Sequence, residues 1–236
     1  MKKVTKAMIL AAGFGTRLRP LTDTIPKPLI PFNGKPMIEN AISKLVSAGV
    51  NEFIINTHHH ADKMAEYFEN RKGPEHITLV RENEILGTGG ALLNAREYLE
   101  DSGSFFLYNA DVDTDADLLR MEEYHLLKGA LATLALNKRE TSRHLIVDNE
   151  LHIVGRTEDN SDVVYRQSAA ITKFGFCGIH LISDRLFKVI ESTGNFDIIP
   201  EYMRLISCGY MINGFDIGTK KWQDLGKYFN MNSKLL

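Results

Sequence analysis

Up to residue 136, short apolar runs alternate with segments of helical period, and that alternation leaves few folds open. Residues 6–11 (KAMILA) read as a buried strand, and 51–56 (NEFIIN), 76–80 (HITLV), 104–111 (SFFLYNAD) and 130–136 (ALATLAL) as further strands. Ile38, Ala41, Ile42, Leu45 and Val46 fall at i, i+3, i+4, i+7 and i+8, an amphipathic helix over 36–48 ended by Gly49. Further helical stretches follow over 61–70, out of the segment GTGGALLNAREYL, and over 115–128. Strands and helices in βαβαβ order imply an α/β fold, a mostly parallel sheet with helices on both faces. Ligands of such sheets bind outside the carboxyl ends of the strands.

From about residue 140 the texture changes. Short strand-like runs (LIVD, LHIVG, KFGFCGIHLI) are separated by the polar stretch RTEDNSDVVYRQS, then come helices near 183–192 and 197–207 and the runs YMINGF and KKWQDL. We read residues 1–236 as a single domain, with a core over about 1–138 and a smaller β/α subregion over about 139–236. The net charge of −2 argues against a nucleic-acid or anionic-membrane partner. No stretch approaches the ~20 apolar residues of a membrane-spanning helix. The run AMILAA after Lys2, Lys3 and Lys6 is too short for a secretory segment. Cys177 and Cys208 lack CxxC spacing, so two reduced thiols in a cytoplasmic protein are expected.

The segment AAGFGTRLRPLTDTIPKPLIPFNGKP (11–36) carries the strongest chemical signal. Gly13 and Gly15 follow the first strand directly, where a phosphate-binding loop would sit. The dinucleotide fingerprint GxGxxG fails, because Leu18 stands at its third glycine and Asn56 and Thr57 replace the acidic residue after strand two. GxxxxGK[ST] is absent, since Gly34-Lys35 is followed by Pro36. What remains is a glycine turn whose amides can converge on an anion. Arg17 adds a fork of donors matched to phosphate, and Lys27 is held between Pro26 and Pro28 as a fixed point charge. A tight turn with surface cations is the plainer alternative.

Beyond the strand SFFLYNAD, DVDTDAD alternates Asp111, Asp113, Asp115 and Asp117. An EF-hand loop would need glycine at Ala116 and a preceding helix. Either the run is a solvated turn in which Asp113 or Asp115 caps the next helix, or it presents a metal ligand at a strand's carboxyl end. His58, His59 and His60 diverge in direction and show no ligand spacing; they are expected to form a polar loop.

The run LAAGFGTRLRPLTDTIPKPLIPFNGKPMIE resembles the signature of the sugar-1-phosphate nucleotidyltransferases. The likeness extends more loosely through GTGGAL, NAD and GFCGIH to the C-terminal strand, and so covers most of the chain. It implies a Rossmann-like α/β core, the nucleotide-diphospho-sugar transferase fold, with an added sugar-binding region. It also implies Mg²⁺-dependent nucleotidyl transfer from a nucleoside triphosphate to a sugar 1-phosphate, in nucleotide-sugar supply for cell-envelope polysaccharide. On that resemblance, Leu10, Ala11, Ala12, Gly13, Gly15, Thr16 and Arg17 would hold the nucleotide, with Glu84, Gly87 and Thr88 around the base. Arg17, Lys27 and Asp111 would be catalytic. Asn109 and Gly178 would lie near the sugar, with Glu158 a looser match because the family's Glu-Lys-Pro element reads GRTEDNSD here. Asp111 would bind the metal together with a late aspartate in a W-x-D-x-G pattern. Asp224 in WQDLGK fits that spacing, and Asp216 in GFDIGT competes with it. Arg139, Arg143 and His144 are expected at the mouth of the sheet, on the sugar phosphate or as surface cations. The GTGG form is nearer to uridylyl- and guanylyltransferases than to thymidylyltransferases. Rival readings are a phosphocholine cytidylyltransferase, a glycosyltransferase using Asp111-Val112-Asp113 as a DxD motif, and a non-catalytic nucleotide-sugar sensor.

Overall fold

The computed structural model describes residues 3–227. β1 (Lys6–Leu10) leads through three 3-10 turns, at Thr16–Leu18, Leu21–Asp23 and Lys27–Leu29, to a small ribbon, β2 (Pro31–Phe32) with β3 (Lys35–Pro36). Then come α1 (Met37–Ser47), β4 (Glu52–Thr57), α2 (Ala61–Asn70), β5 (His76–Arg81), α3 (Gly87–Asn94), α4 (Arg96–Leu99) and β6 (Ser104–Asn109). β7 (Val112–Thr114), α5 (Leu118–Lys128) and β8 (Ala132–Asn137) close the first part. The second part holds β9 (His144–Val147), β10 (Ile153–Glu158), β11 (Ser161–Val164), β12 (Thr172–Ser183), α6 (Ile198–Ser207), β13 (Ile212–Asp216) and β14 (Trp222–Asp224).

One 10-stranded sheet takes strands from both parts. β4, β5 and β6 run with β1, and β12 runs against β6. β8 and β9 run against β12, β13 runs with β8, β10 against β9 and β11 against β10. Eight of the ten strands therefore share one direction, β10 and β12 opposing. Strand alternation sends Ala7 and Ile9, Phe106 and Tyr108 to one face, where they meet residues of α1, α2 and α5. Met8, Phe105 and Leu107 go to the other face, against α3, α4 and α6. The chain leaves β1 toward β4 and β5, then crosses back to place β6 on the far side of β1. That reversal opens a crevice at the carboxyl ends of β1 and β6.

β12 decides the shape of the second part. β8 follows one of its edges, with an irregularity between Phe176 and His180. The other edge is shared end to end, by β9 at Thr172–Gly175 and by β6 at Ile179–Ser183. The break centres on Gly178, whose φ of 75° favours glycine. A Cβ there would stand 2.8 Å from Asn109 Nδ2 and 2.9 Å from Val112 Cγ2.

Four local expectations change. The helix expected over 115–128 begins only at Leu118, and its N-cap is Asp117, whose carboxylate accepts from the Arg120 amide, rather than Asp113 or Asp115. The preceding residues are claimed by a distant strand: β7 pairs with β14, and the Asp115 amide and Thr114 hydroxyl both donate to the Lys221 carbonyl. The helix near 183–192 is a single 3-10 turn, Asp184–Lys188. Backbone groups that would extend it bind α6 instead, Val189 O accepting from Arg204 and Glu191 N donating to Glu201. The helical segment after GTGG is divided into α3 and α4 at Ala95. RTEDNSDVVYRQS is a hairpin rather than a mere spacer, turning at Asp159 and Asn160 with φ of 45° and 63°.

Candidate active site

The glycine loop is built around Lys27. A Cβ at Gly15, where φ is 64°, would lie 2.8 Å from Thr22 Cγ2 and 2.9 Å from Lys27 Cβ. Only glycine lets the loop fold this closely over the lysine stem. Pro26 is extended and Lys27 opens the last 3-10 turn with Pro28 behind it, so the backbone carrying the ammonium is stiff. The three histidines support this loop. His59 Nε2 and His60 Nε2 lie 3.1 and 3.3 Å from the Thr22 carbonyl, and Phe14 packs edge-on against His58.

The Lys27 ammonium reaches the Asp111 carboxylate, two residues past β6. Both side chains are mostly buried, 15% and 17% exposed. β14 lies antiparallel to β7 with Asp224 opposite Val112, and the Leu225 amide donates to the Asp111 carbonyl at 2.8 Å. This pairing delivers Asp224 to the same spot, 3.7 Å from Arg17 Nη1. Gly226 completes the cluster: a Cβ there would lie 3.0 Å from Lys27 Nζ and 3.2 Å from both Arg17 Nη2 and Asp224 Oδ1. Two carboxylates and two cations thus meet from four separate segments. Asp216 makes none of these contacts; it is the exposed last residue of β13 and accepts from the Gly218 amide. No group of three or more His, Cys, Asp or Glu side chains able to hold a metal occurs among the described residues. The Asp111–Asp224 pair suits a hard cation that takes one or two carboxylates and completes its shell with phosphates and water.

Two cavities flank this cluster. The first, about 230 Å³, is lined by Leu10, Ala11, Ala12, Gly13, Lys27, Gly87, Thr88 and Asp111, and also by Asn56, Glu82, Ile85 and Asp197. Gly15, Thr16 and Arg17 stand farther along the loop, outside this lining. Glu84, expected at the base, is exposed and outside this lining; the buried carboxylate of the wall is Glu82. Asn56 ties that wall to β1, its Oδ1 accepting from the Ala11 amide at 2.7 Å and its Nδ2 donating to Glu82 at 2.7 Å. Glu82 also accepts from the Leu86 amide. The signal in the sequence was position, since Glu82 follows the apolar run of β5 at its carboxyl end, beside Asn56 of β4. The glycines of GTGG serve mainly to admit residues 194–197. A Cβ at Gly89 would enter the Phe196 ring, and one at Gly90 would lie 2.2 Å from the Gly194 carbonyl.

The second cavity, about 680 Å³, opens where β6 and β9 part along β12. Asn109, Glu158, Arg143 and His144 line it, together with Thr88, which was expected at the base, and with His180 and Asp197, which the sequence did not single out. Glu158 accepts from Arg156 and Tyr165, and the Arg156 hydrogen bond holds its carboxyl below the usual range. Burial pushes the His180 imidazole down to about 3, so it is neutral. Arg139 is absent from this lining; it lies over the Trp222 ring instead. Thr88, Asn109 and Asp197 line both cavities, which therefore adjoin.

Residues 6–145 match the nucleotidyl transferase family, and the chain belongs to it. It is 39% identical over 146 residues to a mannose-1-phosphate guanyltransferase of Schizosaccharomyces pombe, covering 60% of this chain and 40% of the relative. Against the bifunctional protein GlmU of Methanocaldococcus jannaschii the identity is 31% over 230 residues, 94% of this chain and 51% of the relative. The chain thus spans about half the length of these curated relatives. Among solved structures, the inositol-1-phosphate CTP transferase from T. maritima superposes with a TM-score of 0.75 over 99% of this chain and 94% of that one. At 20% identity that likeness speaks for the fold alone.

Proposed function

We propose that the protein transfers a nucleotidyl group from a nucleoside triphosphate to a sugar 1-phosphate. An oxygen of the sugar phosphate attacks the α-phosphorus, the bond from that phosphorus to the bridging oxygen breaks, and pyrophosphate leaves. The observation carrying this reading is the meeting of Lys27, Arg17, Asp111 and Asp224 beside two adjoining cavities. Two anions must approach each other in such a reaction, so the protein's task is charge neutralisation and in-line positioning. Lys27 sits on the side of the reacting phosphates, and Arg17 with the loop amides faces the leaving group. Asp111 and Asp224 would hold Mg²⁺, which when bound offsets charge on the phosphates. The smaller cavity takes the nucleoside and the larger one the sugar, with Asn109, Glu158 and Asp197 offering groups to hydroxyls.

For the base we favour guanine. The Glu82 carboxylate is a paired acceptor that complements the N1–H and N2–H donors of guanine, whereas uracil offers one such donor. The similarity to mannose-1-phosphate guanyltransferases supports the same choice. This reading places the protein in cytoplasmic nucleotide-sugar supply for cell-envelope polysaccharide; no helix among the described residues is long and apolar enough to cross a membrane.

Pyrophosphate release with Mg²⁺, over GTP, UTP, CTP and dTTP against mannose, glucose and N-acetylglucosamine 1-phosphates and phosphocholine, tests the proposal. Release with GTP and a sugar 1-phosphate is expected. Glu82→Gln should then raise KM for GTP about tenfold, the scale of one bidentate base contact. Silence with every sugar phosphate would refute the transferase reading.

A further inference from the structure

Arg139 does not reach the sugar cleft, and its actual partners describe a different task. Its guanidinium carbon stands 4.0 Å from the centroid of the Trp222 ring. The same group is anchored on two strands, donating to Asn137 Oδ1 at the end of β8 and to the Phe176 carbonyl of β12 at 2.7 Å. The Trp222 indole N–H donates to the Cys177 carbonyl at 2.8 Å. One carbonyl therefore fixes the edge of the ring, and one planar cation fixes its face. Gly175 is shaped for this arrangement: a Cβ would lie 2.3 Å from Arg139 Nη1 and 2.5 Å from its Cζ.

Trp222 and Asp224 are two residues apart on β14, and side chains at that spacing share a face of a strand. β14 has only three residues and pairs with a strand of equal length, β7. A ribbon so short is marginal without further contacts. The Arg139–Trp222 stack and the Trp222–Cys177 hydrogen bond supply them from β8 and β12. Phe176, whose carbonyl holds Arg139, also lines the larger cleft.

We infer that Arg139 is a positioning residue: by clamping Trp222 it holds Asp224 beside Asp111, and it joins that carboxylate to the wall of the sugar cleft. The inference rests on the proposed metal role of Asp224 for its catalytic consequence, but its structural part stands apart. An aromatic–guanidinium stack stabilises on the scale that shifts a local opening equilibrium about fivefold to tenfold.

Trp222 is the only tryptophan in the sequence, so its fluorescence reports the clamp directly. Arg139→Lys keeps the charge and loses the planar face. Gly175→Ala keeps the arginine but pushes its flexible end off the ring. In both variants acrylamide should quench Trp222 more strongly, and the Leu225 amide should exchange about fivefold to tenfold faster. The Mg²⁺ concentration for half-maximal pyrophosphate release should rise about tenfold, as when a group supporting a metal ligand is removed, with kcat at saturating Mg²⁺ reduced much less. Unchanged quenching and Leu225 exchange in both folded variants would overturn the clamp. Altered quenching and exchange with an unshifted Mg²⁺ dependence would overturn its link to Asp224. If the unmodified protein releases no pyrophosphate, only the transferase reading falls, since quenching and exchange still decide the clamp.

Discussion

Lys27→Met removes the ammonium at the centre of the site while keeping a side chain of similar length, and its consequences can be scaled. Lys27 and Asp111 are 15% and 17% exposed, so the variant leaves a mostly buried carboxylate without its cation. Losing the partner of such a group costs about 1–3 kcal/mol, and the remaining solvent contact together with nearby Arg17 puts the value near the lower end, about 1–2 kcal/mol. For a chain of this size that is a fall in Tm of about 2–8 °C. Turnover should suffer more. One positioned donor to a developing charge is worth about 10²–10³ in rate, or about 2.7–4 kcal/mol. The two effects should respond oppositely to metal. Mg²⁺ should raise the Tm of the variant more than that of the unmodified protein, because it replaces the missing positive charge at Asp111, yet it should not restore the rate. The assays are thermal unfolding with and without Mg²⁺, and pyrophosphate release at saturating Mg²⁺ and GTP. A variant retaining a third or more of kcat/KM would refute the role given to Lys27.

Two other perturbations probe separate parts of the argument. Asp224→Asn should lower pyrophosphate release at least about a hundredfold, whereas Asp216→Asn, at the exposed end of β13, should stay within about twofold; the reverse order would mean that the late metal ligand is misassigned. Stability should fall in mild acid through His125 and His180, which burial pushes down to about 4 and about 3 from an ordinary 6.5. Below pH 6.5 the unfolded chain binds protons that the folded chain refuses, so stability declines as pH drops, until these folded values are reached. Each histidine contributes a slope of at most about 1.4 kcal/mol per pH unit in that window, so urea unfolding at pH 5.5 and 4.5 should differ by roughly 2 kcal/mol from the pair; equal midpoints at the two pH values would contradict it.

What the sequence determined by itself was local or periodic. Alternation of apolar runs placed β1, β4, β6 and β8, because a strand buried on both faces has no polar positions to spare; it also placed β5, which lies at the edge of the sheet and is only half-buried. The residues 61–70 read as helix are the helix observed, since its period is carried by its own side chains. GFGTR and PKP announced a tight loop around a fixed lysine because glycine and proline act on their own backbone, whatever surrounds them. The favoured choice of Asp224 over Asp216 came from the spacing of Trp222, Asp224 and Gly226; the structure sets Asp224 3.7 Å from Arg17 Nη1, next to Leu225, whose amide binds the Asp111 carbonyl.

Tertiary structure decided whatever depends on a distant partner. Glu82 rather than Glu84 enters the pocket because Asn56, 26 residues earlier, holds its carboxylate. Asp117 rather than Asp113 or Asp115 caps α5 because Lys221 has taken the groups before it. The glycines after Leu86 answer to Phe196 and Gly194, more than a hundred residues on. Arg139 was expected at the mouth of the sheet, on the sugar phosphate or as a surface cation, and lies instead on Trp222. In each case the sequence supplies a polar or flexible group with several possible partners, and the choice among them is made by which segment the sheet brings within hydrogen-bonding reach.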